Sequence, residues 1–241
     1  MEIKTVNNYR ELSEKAAAIV AGELNRRPDS VLGLATGSTP EGMYAQLVKM
    51  YNKKEIDFND VVTFNLDEYA GLSPEHPQSY HFYMYSNFFD HVNIKPGNIH
   101  IPYCGDQDLD LACKEYDQKI KDAGGINLQI LGLGVNGHIG FNEPCEYLYT
   151  DTHLVDLTAE TIEANSRFFS SREEVPRQAV TMGVASIMHA EKILLMAAGE
   201  NKARAVQLMC CGRITTSLPA SLLQLHRNIV LIVDRAAAAL L

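Results

Sequence analysis

The sequence predicts an α/β fold with three layers: a mostly parallel open sheet with helices on both faces. Short apolar runs rich in β-branched residues are each followed by small polar residues and then by a helix-like segment. Runs that are apolar throughout suit strands covered on both faces, and strand–helix alternation favours a parallel sheet with right-handed crossovers. The 241 residues, 46% of them hydrophobic, contain no repeat or Pro/Ser-rich linker, which indicates a single domain over residues 1–241.

The elements follow from the hydrophobic pattern in chain order. Residues 1–30 supply one amphipathic helix, 8–24, before the first strand. The apolar runs that predict strands lie within 30–37, 60–69, 127–137, 192–202 and 228–235. Helical periodicity predicts further helices at 79–90, 107–122, 158–169 and 202–210, and one after the first strand whose apolar face carries Met43, Leu47, Met50 and Tyr51. Ligands of such sheets bind beyond the carboxyl ends of the strands, so polar residues at those ends are the candidate site residues.

Composition excludes several function classes. A net charge of −9 disfavours a nucleic-acid binder, because phosphate backbones are bound by clustered Lys and Arg. The chain lacks a run of about 18 apolar residues that would span a membrane, and its charged N-terminus lacks the apolar region of a secretory signal. Five cysteines without CxxC spacing favour free thiols in a reducing compartment over a thiolate zinc site. We therefore expect a cytoplasmic protein.

The first strand end reads LGLATGSTPEGMY, residues 32–44. Thr39 is predicted to be a helix N-cap with Pro40 at the first helical position. Gly37 and Ser38 would then present backbone N–H groups to an anion at the positive end of the helix dipole. The alternative is an ordinary capped turn, since the Lys-Ser/Thr ending of a nucleotide P-loop is missing.

The second strand end reads FNLDEYAGL, residues 64–72. Asp67 and Glu68 directly follow an apolar run, so one of them is expected to be partly desolvated. Desolvation raises the pKa of a carboxyl group and makes it a better proton acceptor near neutral pH. The alternative is a solvated acidic turn.

The third strand end reads LGLGVNGHIGFNEP, residues 131–144, and contains the pattern GxGxxG. A dinucleotide fingerprint requires a helix after its last glycine, but HIGFNEP contains Gly and Pro and lacks a helical stripe. The glycines are better explained by close backbone approach to a small ligand. His138 and Glu143 lack the third ligand of a metal site, which leaves a catalytic imidazole with an acid partner or a hydrogen-bonded core histidine.

The fourth strand end, within residues 192–209, places Lys202 at the start of a helix, where its ammonium group would meet an anionic ligand. A surface lysine is the alternative. Together the four ends supply a base in Asp67, an imidazole and an acid in His138 and Glu143, and a phosphate cradle in residues 37–39 with Lys202. Such a set suits proton transfer on a sugar phosphate.

Six segments, in this order and spacing, resemble the glucosamine-6-phosphate deaminases: TGSTPEGMY, FNLDEYAGL, HPQSYHFYM, GLGVNGHIGFNEP, ANSRFF and LQLH. The resemblance runs from about Leu32 to about Val233. It implies a modified Rossmann-like fold of the ribose-5-phosphate isomerase/deaminase type. It also implies the conversion of glucosamine 6-phosphate and water to fructose 6-phosphate and ammonia, without metal or organic cofactor.

The resemblance also implies roles for individual residues. His138 would promote ring opening, supported by Asn136 and Glu143, and Asp67 would then remove the C2 proton. The phosphate would be bound by Gly37, Ser38, Thr39, Arg167 and Lys202. Arg167 would lie on a mobile lid around residues 157–176.

Two departures from the family pattern are visible. Many members carry Asp where this chain has Asn136, so Glu143 must be the carboxylate partner of the histidine. Hexameric, allosterically activated members have a basic stretch after the Asn-Glu-Pro, whereas residues 145–157 here contain no Lys or Arg. We therefore expect a non-allosteric enzyme that acts as a monomer on a small-molecule substrate.

Two rival interpretations remain. One is a 6-phosphogluconolactonase-like hydrolase on the same scaffold, which would not need Asp67 over a C2 hydrogen. The other is the effector domain of a sugar-responsive repressor, which would need a DNA-binding helix-turn-helix. Residues 1–30 offer only one predicted helix for that purpose.

Overall fold

The structure is a computed structural model that describes residues 1–102, 105, 108–166, 169, 171 and 174–241. Its strands are β1 Glu2–Val6, β2 Val31–Leu34, β3 Val62–Asn65, β4 Asp67–Tyr69, β5 Ile99–His100, β6 Leu128–Gly132, β7 His153–Asp156, β8 Gln178–Thr181, β9 Lys192–Ala197 and β10 Ile229–Asp234. Its α-helices are α1 Tyr9–Arg26, α2 Ser38–Asn52, α3 Tyr80–Asn87, α4 Leu109–Asp122, α5 Ala159–Ser166, α6 Val184–Met188 and α7 Ala203–Met209.

Local sequence explains where several helices begin. The side chains of Asn8, Ser79 and Asp108 precede α1, α3 and α4, and each accepts a hydrogen bond from a backbone N–H of the first turn. Such caps satisfy donors that have no partner inside the helix. None of the helices in the described part of the chain is long and apolar enough to cross a membrane.

Seven strands form a fully parallel sheet in the order β1-β10-β9-β6-β2-β3-β5. Every residue of β2 and of β10 is buried, as expected for strands covered on both faces. With this strand order, the right-handed crossovers that parallel strands follow put α1, α2 and α3 on one face and α4 and α7 on the other. The predicted three-layer, mostly parallel α/β fold is confirmed.

The N-terminal prediction was wrong in one respect, because a strand precedes the first helix. Residues Glu2–Val6 form β1, which pairs in parallel with β10 at the edge of the sheet. This strand is polar and mostly exposed, so it lacks the continuous apolar run by which the interior strands were found. Residues 1–30 therefore hold both a strand and a helix.

The predicted strand within 60–69 is two strands in different sheets. β3 belongs to the large sheet, whereas β4 pairs with β8, and β8 with β7, in a small antiparallel sheet. Leu66 joins them: its N–H donates to Leu34 O at 2.9 Å, and its carbonyl accepts from Met182 N at 2.7 Å. Asp67 therefore lies directly after the point where the chain leaves the large sheet.

The strand order reverses between β2 and β6, which are neighbours in the large sheet. From β2 the chain continues to β3 and β5 on one side, and from β6 it continues to β9 and β10 on the other. The crossover connections diverge at such a switch point and leave a crevice beyond the carboxyl ends of the two strands. The turns predicted to bind ligand begin at these two ends.

Candidate active site

A cavity of about 300 Å³ occupies this crevice. It is bounded by the turn after β2, the β3–β4 junction, the turn after β6 and one side chain that follows β9. Its lining residues are Ala35, Thr36, Gly37, Ser38, Thr39, Leu66, Asp67, Tyr80, Gly132, Leu133, Gly134, His138, Gly140, Phe141 and Lys202. The structure thus brings together the four strand ends that the sequence singled out.

The turn after β2 departs from the predicted cap. Helix α2 begins at Ser38, and Gly37 is its N-cap, so Thr39 lies inside the first turn and the prediction of a Thr39 cap was wrong. Gly37 has a φ of 96°, which residues with a side chain rarely adopt. No side chain caps this helix start. Its first N–H groups therefore have no side-chain cap, and such groups at the positive end of a helix dipole can bind an anion.

Asp67 is the carboxylate that faces the cavity. It is only 6% exposed, and burial, followed by the nearby charge of Glu68, raises its pKa to about 8. It lies beside the turn after β6: a Cβ atom placed on Gly140 would be 3.4 Å from Asp67 Oδ2. A carboxyl group with this pKa is matched to proton abstraction near neutral pH.

Glu68, the other acid of the pair, serves a different purpose. Its carboxylate accepts hydrogen bonds from Tyr80 N at 2.9 Å and His81 N at 2.8 Å, at the start of α3. Burial raises the pKa of Glu68, while these backbone donors act in the opposite direction. The choice that the sequence left open between the two acids is therefore made by geometry, which places Asp67 in the cavity.

His138 and Glu143 form a hydrogen-bonded pair on the turn after β6. The Nδ1 atom of His138 lies 3.2 Å from both carboxylate oxygens of Glu143. Asn136 Nδ2 donates to Glu143 Oε2 at 2.7 Å, and its Oδ1 accepts from His138 N at 3.1 Å. Thr161 Oγ1 donates to Glu143 Oε1 at 2.8 Å. Burial alone would raise the pKa of Glu143, but these hydrogen bonds hold it below its usual value. The pair is therefore a carboxylate that orients an imidazole.

The glycines of this turn make room for the imidazole. A Cβ atom on Gly134 would lie 2.4 Å from the ring of His138. Gly137 has a φ of 85° and is followed by a turn closed by an Ile139–Asn142 bridge, not by a helix. The GxGxxG pattern therefore does not begin the helix that a dinucleotide site requires.

Lys202 ends a short 3-10 turn, residues 200–202, directly before α7. Its side chain lines the cavity, and burial lowers its pKa. The preceding Gly199 donates its N–H to both carboxylate oxygens of Asp234, each at 3.1 Å, and Lys202 N donates to Gly199 O. The end of β10 thus holds the turn that carries the lysine.

Arg167 lies outside the described residues, so its role and the lid around 157–176 stay predictions. The lining residues that the sequence did not single out include two aromatic side chains. The ring of Tyr80 lies parallel to that of Phe141, at 7° and 6.1 Å between centroids, and both line the cavity. Tyr80 belongs to HPQSYHFYM, so the resemblance marked the segment without indicating this residue.

Within the described part of the chain, no three His, Cys, Asp or Glu side chains are grouped so as to hold a metal ion.

Comparison with known proteins places this site in a family. The model of glucosamine-6-phosphate isomerases/6-phosphogluconolactonase matches residues 6–232. The glucosamine-6-phosphate deaminase of Thermoanaerobacter sp. (strain X514) is 56% identical over 241 residues, 100% of this chain and 95% of that protein. The glucosamine-6-phosphate deaminase of Halothermothrix orenii is 57% identical over 241 residues and is covered completely, as is this chain.

Solved structures of members of this family have the same fold as this chain. A monomeric glucosamine-6-phosphate deaminase of the NagB superfamily superposes with a TM-score of 0.97 at 44% identity, over 100% of both chains. A 6-phosphogluconolactonase from Thermotoga maritima superposes with a TM-score of 0.76 at 19% identity, over 97% of this chain and 99% of that one, and so shares the fold alone. The chain belongs to the glucosamine-6-phosphate isomerase/6-phosphogluconolactonase family.

Proposed function

We propose that this protein is a glucosamine-6-phosphate deaminase, which converts glucosamine 6-phosphate and water to fructose 6-phosphate and ammonia. The observation that carries the proposal is the buried carboxylate of Asp67 in the same cavity as His138, whose imidazole is paired with Glu143. Lactone hydrolysis needs no base over a C–H bond, and the two relatives described above, at 56% and 57% identity, are named as deaminases.

Ring opening is the first step and is assigned to His138. Its Nδ1 is engaged by Glu143, and within the described residues its Nε2 makes no hydrogen bond, so Nε2 is the atom available to substrate. The imidazole takes the proton of the anomeric hydroxyl and returns it to the ring oxygen as the ring C–O bond breaks. Glu143 stabilises the imidazolium formed between the two transfers, and Asn136 holds both groups in place.

Isomerisation follows at Asp67. The carboxylate takes the C2 proton of the open aldehyde, which leaves an enolamine with the electron pair shared toward C1 and its oxygen. Return of a proton to C1 gives an iminium at C2. Water then adds at C2, and its two protons pass to the C1 oxygen and to the nitrogen. The C–N bond breaks, ammonia leaves, and C2 becomes the ketone of fructose 6-phosphate. A positioned base of this kind typically contributes about 10²- to 10⁴-fold in rate.

The phosphate end of the substrate binds at the turn after β2. Gly37, Ser38 and Thr39 offer backbone N–H groups at a helix start, and Lys202 supplies a point charge from the turn before α7. Arg167 is assigned to the same anion by the family resemblance. Fixing the phosphate fixes the distance from C2 to the base, since the sugar chain between them has a set length.

The protein is proposed to act as one domain and, like the 44% identical deaminase, as a monomer. Residues 145–157 carry Glu146, Asp151 and Asp156 and no Lys or Arg, so an anionic activator would meet repulsion there. Accordingly, N-acetylglucosamine 6-phosphate should leave the saturation curve of the substrate hyperbolic and unshifted.

Ammonia release from glucosamine 6-phosphate, measured beside hydrolysis of 6-phosphogluconolactone, tests the proposal. We expect ammonia and fructose 6-phosphate in equal amounts and no hydrolysis above the spontaneous rate. Lactone hydrolysis without ammonia release would show the hydrolase instead.

A further inference from the structure

Three tyrosine hydroxyl groups contact the turn after β2, and none of the three tyrosines is among the residues that line the cavity. Each donates a hydrogen bond to a carbonyl oxygen of the turn. The pairs are Tyr44 with Ala35 at 2.7 Å, Tyr83 with Gly37 at 2.8 Å, and Tyr9 with Ser38 at 2.7 Å. Three of the four backbone carbonyl groups of residues 35–38 thus accept a hydrogen bond from a tyrosine hydroxyl group.

The three tyrosines come from three different helices. Tyr9 is the first residue of α1, Tyr44 lies in α2, and Tyr83 lies in α3. The Tyr9 hydroxyl also accepts from Gly42 N at 2.8 Å, which ties α1 to the first turns of α2. Helix α3 is itself held at its start by Glu68. The turn is therefore fixed by contacts from far along the chain, not by its own sequence.

The orientation of a carbonyl group determines the orientation of the next amide. A trans peptide is planar, so its C=O and N–H bonds point in opposite directions. The hydroxyl groups hold the carbonyl groups of residues 35, 37 and 38. The N–H groups of the same peptides, which belong to residues 36, 38 and 39, therefore point the opposite way. Residues 35–39 all line the cavity. Donation to a carbonyl also polarises the peptide, which makes its N–H a stronger donor.

We propose that Tyr9 and Tyr83 are positioning residues for the phosphoryl group of the substrate. They hold the peptides of the turn so that the N–H groups face the anion, and they touch neither the substrate nor the reacting carbons. The proposal rests on the proposed function, because the turn must be the phosphate site. Tyr44 acts in the same way, but its ring is stacked on Phe88 in the core and serves folding as well.

The test replaces each of the two hydroxyl groups by hydrogen, in Tyr9→Phe, Tyr83→Phe and the double variant. We expect each single change to raise KM for glucosamine 6-phosphate about three- to tenfold, the usual worth of one hydrogen bond, and the double change to raise it by about the product. The inhibition constant of inorganic phosphate should rise by the same factors. The kcat should stay within about twofold, since phosphate contacts are alike in ground and transition states.

Tyr85→Phe is the matched control. Tyr85 lies on α3 beside Tyr83, and its hydroxyl makes no hydrogen bond within the described part of the chain, so both constants should be unchanged. An unchanged phosphate constant in the double variant, or a loss of kcat without a rise in KM, overturns the proposal. Calorimetric titration with inorganic phosphate gives the same comparison without turnover. A wild type that releases no ammonia but binds phosphate more tightly than the double variant would refute the proposed reaction and leave the tyrosine role standing.

Discussion

Replacing Asp67 by Asn should destroy turnover and, at the same time, stabilise the protein in a pH-dependent way. The amide keeps the shape of the carboxyl group but cannot accept the C2 proton. The variant should therefore bind substrate and show no exchange of the C2 hydrogen with solvent. Its folded state also no longer has to hold an ionisable group that is 6% exposed.

The size of the stability effect follows from the pKa of Asp67. Burial raises that pKa from 3.8 to about 8 in the folded protein. Between these values the folded state keeps the proton and the unfolded state has lost it, so the free energy of unfolding falls by about 1.36 kcal/mol per pH unit as the pH rises. From pH 5 to pH 8 the wild type should lose about 4 kcal/mol through this one group. The Asn variant has no such loss.

Urea unfolding of both proteins at about pH 5, 6.5 and 8 measures the difference directly. The stability of the variant relative to the wild type should increase steadily with pH, and hydrogen exchange at C2, followed by NMR in heavy water, should be absent at every pH. Asp29→Asn, the same change in an exposed turn, is the control for the substitution itself. A constant difference for Asp67→Asn would mean that its carboxylate is solvated, and the assignment of the base would be wrong.

Three further substitutions test the walls of the cavity. Lys202→Ala should raise KM about 10- to 100-fold with kcat nearly unchanged, because a charged hydrogen bond to the phosphate is lost equally in ground and transition states. Gly134→Ala should abolish measurable ammonia release, because the new Cβ atom would lie 2.4 Å from the ring of His138 and displace it. Asp234→Ala should raise KM about three- to tenfold, because its carboxylate holds Gly199 N at 3.1 Å and so fixes the turn that ends in Lys202.

Each of these changes has a control and a contrary outcome. Lys192→Ala removes a lysine at the opposite end of β9 and should leave KM unchanged. Gly22→Ala, in the middle of α1 with no atom within 4 Å of the new Cβ, should leave activity intact.

Loss of kcat at normal KM in Lys202→Ala would mean that the lysine does not bind the phosphate. Full activity of Gly134→Ala would show that the ring position is not critical, and an effect of Asp234→Ala on kcat alone would exclude a role through Lys202.

Much of this site could be predicted because strand ends are local features. A buried strand is recognised from consecutive apolar residues, and in a parallel sheet the polar residues that follow it must lie at one edge. Gly37, His138 and Lys202 were singled out on this basis, and the structure places all three around one cavity. Their catalytic and binding roles stay predictions until substitutions test them.

What escaped prediction depends on contacts between distant segments. The division of 60–69 into two strands is imposed by Leu34 and Met182, both far from Leu66 in sequence. The N-cap at Gly37 was missed because Ser and Thr are preferred over Gly at a helix N-cap, and the sequence offers Ser-Thr-Pro directly after the glycine. The conformation of Gly37 is fixed by contacts with three helices, which local sequence does not reveal. The different functions of Asp67 and Glu68 could not be predicted either. Glu68 is bound by backbone N–H groups at the start of α3, and the sequence does not show where that helix start lies relative to the two acids.

The pairing of β1 with β10 has a consequence for synthesis of the chain. Glu2 lies opposite Val230, and in the described sheet β10 is the one neighbour of β1. The ribosome makes this strand before the residues of the site, and its partner β10 only after them. Until then its backbone hydrogen-bonding groups have no partner, and non-local pairing of this kind slows folding. Glu2 and Lys4 give this exposed strand charged side chains, which disfavour its pairing with another chain.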